Sequence, residues 1–354
     1  MQAKSSDSQS LGTKASPSLG EAHDWLSYMP RAIPGHVSAD GQSSDPYRVQ
    51  QQLPILLRIP PSTHAPLFAH RQWRSGLVMS DIIHSGILPL HGNRILELGA
   101  GTGLPSILCA AQPNVQRVVV TDYDEPTLLH RLKENVMSNP GIGNKIRVRG
   151  HAWGVNVDDL RDEMGRALSH SAAENDKADV ILLADCLWDR FSHAPLLRTL
   201  TSLLSKDGNA RIYIVSGLHT GREVLWSFMQ AAHRLGLAVV PMPGADDWPS
   251  LSEWNEASIE GQGTAQHDAV AHVLELGLAF LDEEEESGHP LSVKDASSEA
   301  VEAERHPRTI KVHEPRLNGN RRKFRTRERD EEKKEVGGVK ERNKWICAWA
   351  MGWR

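Results

Sequence analysis

Between Arg94 and Gly103 the chain reads RILELGAGTG: five residues of strand character, then glycine at every second position. Glycine turns freely through positive φ and lets a backbone lie close to another group. Leu104 and Pro105 follow at once, and proline is favoured in the first turn of a helix. A strand that turns through glycines straight into a helix leaves that helix's unsatisfied N–H groups at the turn. Such a unit belongs to parallel α/β architecture, and the flanking sequence has to supply the rest of it.

It does so from 48 to 243. Residues 53–59 (LPILLRI) are β-like, and 72–85 carry Trp73, Leu77, Val78 and Ile82 on one helical stripe. With RILEL as the first core strand, further strands are expected at 117–121, 145–150, 178–184, 210–216 and 237–241. Helices are expected at 127–137, 194–204 and 222–235. Strands alternating with helices imply parallel units buried on both faces, hence the near-continuous Val, Ile and Leu runs. A last strand, 344–351 (KWICAWAM), must return to the sheet to bury its apolar side chains. The expected fold is an α/β, Rossmann-like seven-stranded sheet with helices on both faces.

Apolar residues make up 39% of the 354 residues, against roughly 45–50% in globular chains. The deficit lies outside the core. Residues 1–47 are rich in Ser, Gly, Pro and Asp and read as a disordered leader. Its island at 25–29 (WLSYM) is either docked on the fold or a chance cluster. Residues 244–340 hold an acidic run at 282–286 and a basic run at 321–329, and read as a charged, mostly disordered insertion. Within it only 269–281 (AVAHVLELGLAFL) reads as a helix, and 341–354 return as the final strand of the core.

A net charge of −5 gives no global basic field for nucleic acid or a membrane surface. The first residues lack the apolar core of a secretory signal, and no run reaches the ~18 apolar residues of a membrane span. Cys109, Cys186 and Cys347 share no metal-ligand spacing and suit a reducing compartment. No metal is expected. The expected setting is the cytoplasm, with the nucleus as the alternative.

The glycine turn is open to two ligands. A dinucleotide fingerprint, G-x-G-x-x-G, needs a third glycine at the position of Leu104. The E-x-G-x-G-x-G form, Glu97 to Gly103, instead accepts the amino-acid part of S-adenosylmethionine, with Glu97 facing its ammonium through water. Asp122 stands nineteen positions after Gly103 at the end of the next strand, where a carboxylate accepts hydrogen bonds from both ribose hydroxyls. A plain helix cap is its alternative. Asp185-Cys186-Leu187-Trp188 follows the fourth strand, at the carboxyl end where ligands of parallel sheets gather. There Asp185 is suited to hold an acceptor amine and Trp188 to wall the methyl-transfer channel. Trp153, after the third strand, and Trp73, ahead of the first, offer faces for adenine or a cationic sulfonium. Core burial is the alternative for each.

Taken together, these segments resemble the lysine-methyltransferase-like family of seven-β-strand enzymes, whose members methylate elongation factors, chaperones and other proteins. Fungal members are often labelled nicotinamide N-methyltransferase-like. The resemblance runs over 65–240 and 345–351, through APLFAHRQWRSG (65–76), VVVTDY (118–123) and HAWG (151–154). It is nearest to fungal enzymes that methylate the N-terminus and a nearby lysine of elongation factor 1-alpha. It implies a cofactor site lined by Trp73, Glu97, Gly99, Gly101, Asp122 and Trp153, to which Gly103 and Tyr123 are added here. It also implies that Asp185 opens the D-x-x-[FY] motif beside the acceptor nitrogen, with Trp188 where the family has Phe or Tyr.

The expected activity is S-adenosylmethionine-dependent transfer of a methyl group to a protein lysine or N-terminal amine, an elongation factor among the candidates. The enzyme is expected to act as a monomer, with no membrane and no nucleic-acid partner. Against it stand a small-molecule (nicotinamide-like) amine acceptor and a non-catalytic scaffold acting through the charged insertion. An oxidoreductase is disfavoured by Leu104.

Overall fold

The computed structural model describes residues 18–29, 54–61, 68–84, 86, 88–90, 94–112, 115, 117–165, 176–217, 220–240, 272–278, 309–312, 317–325 and 345–354. In chain order, β1 (Ser18–Leu19), β2 (Trp25–Tyr28), β3 (Ile55–Arg58) and β4 (Gln72–Trp73) lead into helix α1 (Arg74–His84). The alternating core follows as β5 (Arg94–Leu98), α2 (Leu104–Ala111), β6 (Arg117–Asp122), α3 (Pro126–Met137), β7 (Ile146–Gly150) and α4 (Asp158–Gly165). It continues through β8 (Val180–Ala184), α5 (His193–Leu203), β9 (Arg211–Gly217), α6 (Arg222–Arg234) and β10 (Leu237–Val240). Strands β11 (His272–Leu278), β12 (Thr309–Val312) and β13 (Leu317–Arg325) precede β14 (Trp345–Trp353).

The main sheet has the order β13-β11-β14-β9-β8-β5-β6-β7, with β10 also beside β14. Strands β5 to β9 are parallel to one another, and β14 is antiparallel to β9. The seven expected core strands are therefore present, with β11 and β13 extending the sheet. Alternation along β5 shows why its residues are apolar on both faces: Ile95 packs with Leu77, Ile107 and Leu132 of α1, α2 and α3. Leu96 and Leu98 pack with Leu160, Leu200 and Phe228 of α4, α5 and α6 on the other face. Leu96, Val119 and Ile181 have no exposed surface, and truncating any one to alanine costs about 2–5 kcal/mol. At the far end from the glycine turn, Arg94 Nε donates to Asp179 Oδ2 at 2.8 Å and a second nitrogen to Oδ1, tying β5 to β8.

Two expectations need correction. Residues 18–29, part of the expected disordered leader, are ordered: β2 pairs with β3 and β12, and Leu26 and Tyr28 are buried in the core. The Tyr28 hydroxyl donates to Asp81 of α1. Asn135 of α3 and Asn139, just past its C-terminal end, pair with the backbone of Arg58 and Leu56, acting as side-chain partners for the edge of β3. The rest of the leader lies outside the described residues. Second, 272–278 form a strand, not a helix. β14 is nine residues long, and β10 covers only Ala350–Trp353. The edge at Trp345–Cys347 is open to Glu275–Gly277, and an apolar run of ambiguous period yields to that free edge. Strands β11, β12 and β13 lie within the 244–340 segment; its other residues lie outside the described set. Helix α4 was not expected, since Leu160 and Met164 are the only apolar residues on its buried side, which also holds Glu163.

Candidate active site

The turn after β5 takes its shape from glycine. Gly99 and Gly101 sit at φ 66° and 55°, values that side chains other than Asn and Asp seldom tolerate. A Cβ on Gly99 would stand 2.9 Å from Cys186 Sγ and 3.0 Å from Trp153 Cζ2, so a tryptophan can close over the turn only because glycine is there. Gly103, counted with the cofactor residues, is not in the cavity wall. It caps α2 at φ 81°, and a Cβ there would meet Leu132 Cδ1 at 2.5 Å. Its role is to let the helix begin.

Asp122 holds this turn in place. Its Oδ2 accepts from Gly101 N–H at 2.6 Å and its Oδ1 from Tyr123 N–H at 2.7 Å. Backbone bonds from Ala100 N to Thr121 O (3.0 Å) and His151 N to Asp122 O (2.8 Å) lock the turn to the ends of β6 and β7. Asp122 therefore organises the loop as well as facing the cavity.

Glu97 occupies the α2 side of β5 and is 1% exposed. Its Oε2 accepts from Ser106 N–H at 3.0 Å and from the Ser106 hydroxyl, fixing the first turn of α2. Its buried Oε1 has no hydrogen-bond partner among the described residues. Burial raises the carboxyl from 4.5 to about 8; the Ser106 bonds oppose the shift and the negative charge of Asp122 adds to it. A buried acceptor left open in this way costs free energy until a donor arrives. That open oxygen is the acceptor available to a cation in the cavity, directly or through water.

The cavity is about 420 Å³ and collects Trp73, Glu97, Gly99, Gly101, Asp122, Tyr123, Trp153, Asp185 and Trp188 on one wall system. Asp185 lies at φ 62°, and its Oδ1 accepts from Gly217 N–H at 3.0 Å, joining the ends of β8 and β9. Backbone in this sparsely populated region gathers at functional sites. Asp189, one turn on, accepts from Phe191 N–H (3.0 Å) and from the Ser192 hydroxyl (2.5 Å) and so pins a 3-10 turn at the rim.

Several wall residues were missed. Phe68 contacts Trp188 with ring centroids 4.3 Å apart and Trp73 at 5.9 Å. Gln72 accepts from the Thr102 hydroxyl of the glycine turn. His151 contacts Thr199 Oγ1 through Nε2 at 3.2 Å, and burial pulls its pKa down, keeping the ring neutral. Phe68, Gln72 and His151 fall in or beside segments already singled out, but nothing in their spacing separated them from their neighbours. Among the charged wall residues four are acids, Glu97, Asp122, Asp185 and Asp189, and one is a base, Arg71, which pairs with Glu21 at 2.9 Å. The site favours a cation. Among the described residues no group of His, Cys, Asp and Glu could hold a metal ion, and no helix is long and apolar enough to cross a membrane.

The chain is similar in sequence to known proteins. The protein N-terminal and lysine N-methyltransferase efm7 of Schizosaccharomyces pombe is 32% identical over 148 residues, 42% of this chain and 55% of that protein. EFM7 of Candida albicans is 34% identical over 163 residues, 43% of this chain and 59% of its own length. EFM7 of Yarrowia lipolytica is 29% identical over 250 residues, 65% and 87% of the two chains. The chain thus spans a little over half the length of the first two relatives. Residues 56–234 match the lysine methyltransferase family. They make up just over half of the sequence, and the chain belongs to that family.

Proposed function

We propose that the protein is an S-adenosylmethionine-dependent N-methyltransferase acting on a protein amine, a lysine or an N-terminus, with a translation elongation factor as the first acceptor to test. One observation carries the reading: the buried Glu97 carboxyl, half bonded to Ser106 and half open, in a cavity walled by the glycine turn and Asp122. That arrangement fits the cofactor's amino-acid end and ribose. Glu97 would take the ammonium, Asp122 the sugar hydroxyls, and the Trp153 and Trp73 faces the flat or cationic parts. When bound, S-adenosylmethionine supplies a methyl group on a sulfonium, already activated for transfer.

With an activated methyl donor, the protein's task is alignment and exclusion of water. The acceptor nitrogen attacks with its lone pair, so it must arrive deprotonated or lose its proton in the site. Asp185, held by Gly217 N–H and backed by β8 and β9, would orient that nitrogen. Water takes the released proton.

The rim supports a macromolecular acceptor over a small amine. Phe191 is 92% exposed on the turn pinned by Asp189, and Phe68, Tyr123 and Val155 are exposed beside cavity residues. Single exposed apolar side chains are ordinary, but several around one opening mark a docking surface. The three free, buried cysteines suit the reducing cytoplasm, where the protein is proposed to work as a monomer. The test uses purified protein, tritiated S-adenosylmethionine and cell extract, with label counted in protein and in small-molecule filtrate. Label in a protein band that falls with Phe191→Ser supports the reading. Label confined to the filtrate would favour the nicotinamide-like alternative.

A further inference from the structure

Phe68 is placed unlike any other aromatic residue of the site. Its backbone is left-handed, φ 56°, a region a bulky side chain enters only when its surroundings impose it. The imposing group is visible: Trp73 Nε1–H donates to the Phe68 carbonyl oxygen at 2.6 Å. The ring is still 39% exposed, so burial of that ring does not account for the strain. It meets the Trp188 ring at 43° and the Trp73 ring at 42°. Rings tilted in this way form a curved wall instead of a flat stack. The wall joins a residue ahead of the fold's core to the residue three after Asp185, across a cavity whose carboxylates outnumber its bases.

We propose that Phe68 is a specificity-determining residue of the acceptor site, its ring joining Trp73 and Trp188 in an aromatic wall that holds an alkylammonium chain end by cation–π attraction beside Asp185. The inference rests on the methyltransferase reading and deepens it. Aromatic faces attract a cation with or without N–H groups. The wall therefore binds the protonated amine as it enters and the methylated ammonium as it forms. In each transfer the N–C bond forms as the C–S bond breaks, the thioether leaves, and the nitrogen's proton goes to water. A neutral amine of the same shape gains no such attraction. The strained backbone is the means by which the ring reaches Trp188 from the opposite side.

The test is calorimetric titration of the full chain, with S-adenosylhomocysteine present, by two probes: N-acetyl-trimethyllysine amide and its uncharged isostere with carbon in place of the quaternary nitrogen. The charged probe is expected to bind at least fivefold more tightly. Phe68→Gly, which accepts the left-handed backbone and retains the carbonyl for Trp73, should remove most of that preference. It should leave the S-adenosylhomocysteine affinity and the melting temperature within error or better, and Phe68→Tyr should keep the preference. Equal binding of both probes, or an undiminished preference in Phe68→Gly, would overturn the inference while the methyltransferase reading stands. Absence of S-adenosylhomocysteine binding would overturn both.

Discussion

Glu97 makes the site's chemistry measurable without knowledge of the acceptor. In the empty cavity burial holds its carboxyl at about 8. At pH 7 such a group is about 0.9 protonated, at pH 6 almost fully, and at pH 8 about half. An ammonium brought to its open Oε1 favours the charged form and expels the proton. Binding of S-adenosylhomocysteine should therefore release about 0.9 proton at pH 7, falling to about 0.5 at pH 8. Calorimetry at one pH in buffers of different ionisation enthalpy reads this number as a slope. In Glu97→Gln, whose amide oxygen can still accept from Ser106, the release should vanish and affinity should fall by about 1.5–3 kcal/mol, the worth of a hydrogen bond to a charged group.

Stability in the empty state follows the same group. A carboxyl raised above its ordinary value of 4.5 when folded keeps a proton that the unfolded chain has lost. Its contribution is whole below about pH 4.5 and is lost as pH rises through about 8. By pH 7 the loss is on the order of 3 kcal/mol, so Glu97→Gln should melt higher than the unliganded parent there and the gap should close near pH 5. Proton release near zero at pH 6–7, with intact ligand binding, would refute the reasoning.

Asp185→Asn keeps a residue that tolerates the left-handed backbone and should fold normally with cofactor affinity unchanged, while turnover drops at least 100-fold in the radiolabel assay. Asn135→Ala removes hydrogen bonds to Arg58 N, Arg58 O and, at 3.0 Å, Thr102 O of the glycine turn. Denaturant unfolding should show a loss of about 2–4 kcal/mol, and part of the cofactor affinity should go with it. Phe191→Ser should raise KM for a protein acceptor without changing stability, as expected for an apolar side chain that is 92% exposed; kinetics against the labelled protein reads it.

What could be read before the fold was seen was whatever depends on local order. The turn Gly99–Gly103, the carboxylate ending β6 and the Asp185 segment each follow a strand directly, so periodicity placed them at one end of the sheet. Trp188 and Trp153 were recognised because they lie four and three residues past the ends of β8 and β7. Phe68 was not, because its contact with Trp188 joins positions 120 apart in sequence and leaves no mark in spacing. Gly103 shows the opposite failure: the motif includes it, but its φ of 81° serves the start of α2 and Leu132 behind the turn. The strand at 272–278 was misread because its conformation is decided by the open edge of β14. The strand at Trp25–Tyr28 depends likewise on partners remote in sequence, β3 and Asp81. Where a distant backbone or side chain selects the structure, local pattern is silent.

The most direct measurement is the thermal unfolding of the full chain with and without S-adenosylhomocysteine. At a hundredfold excess over Kd, ligand that binds only the folded state adds about 2.7 kcal/mol, which raises the melting temperature by several degrees. That rise is expected for the parent protein, with a much smaller one for Asp122→Ala and none with NADH. No shift with S-adenosylhomocysteine or S-adenosylmethionine, or an equal shift with the dinucleotide, would contradict that expectation.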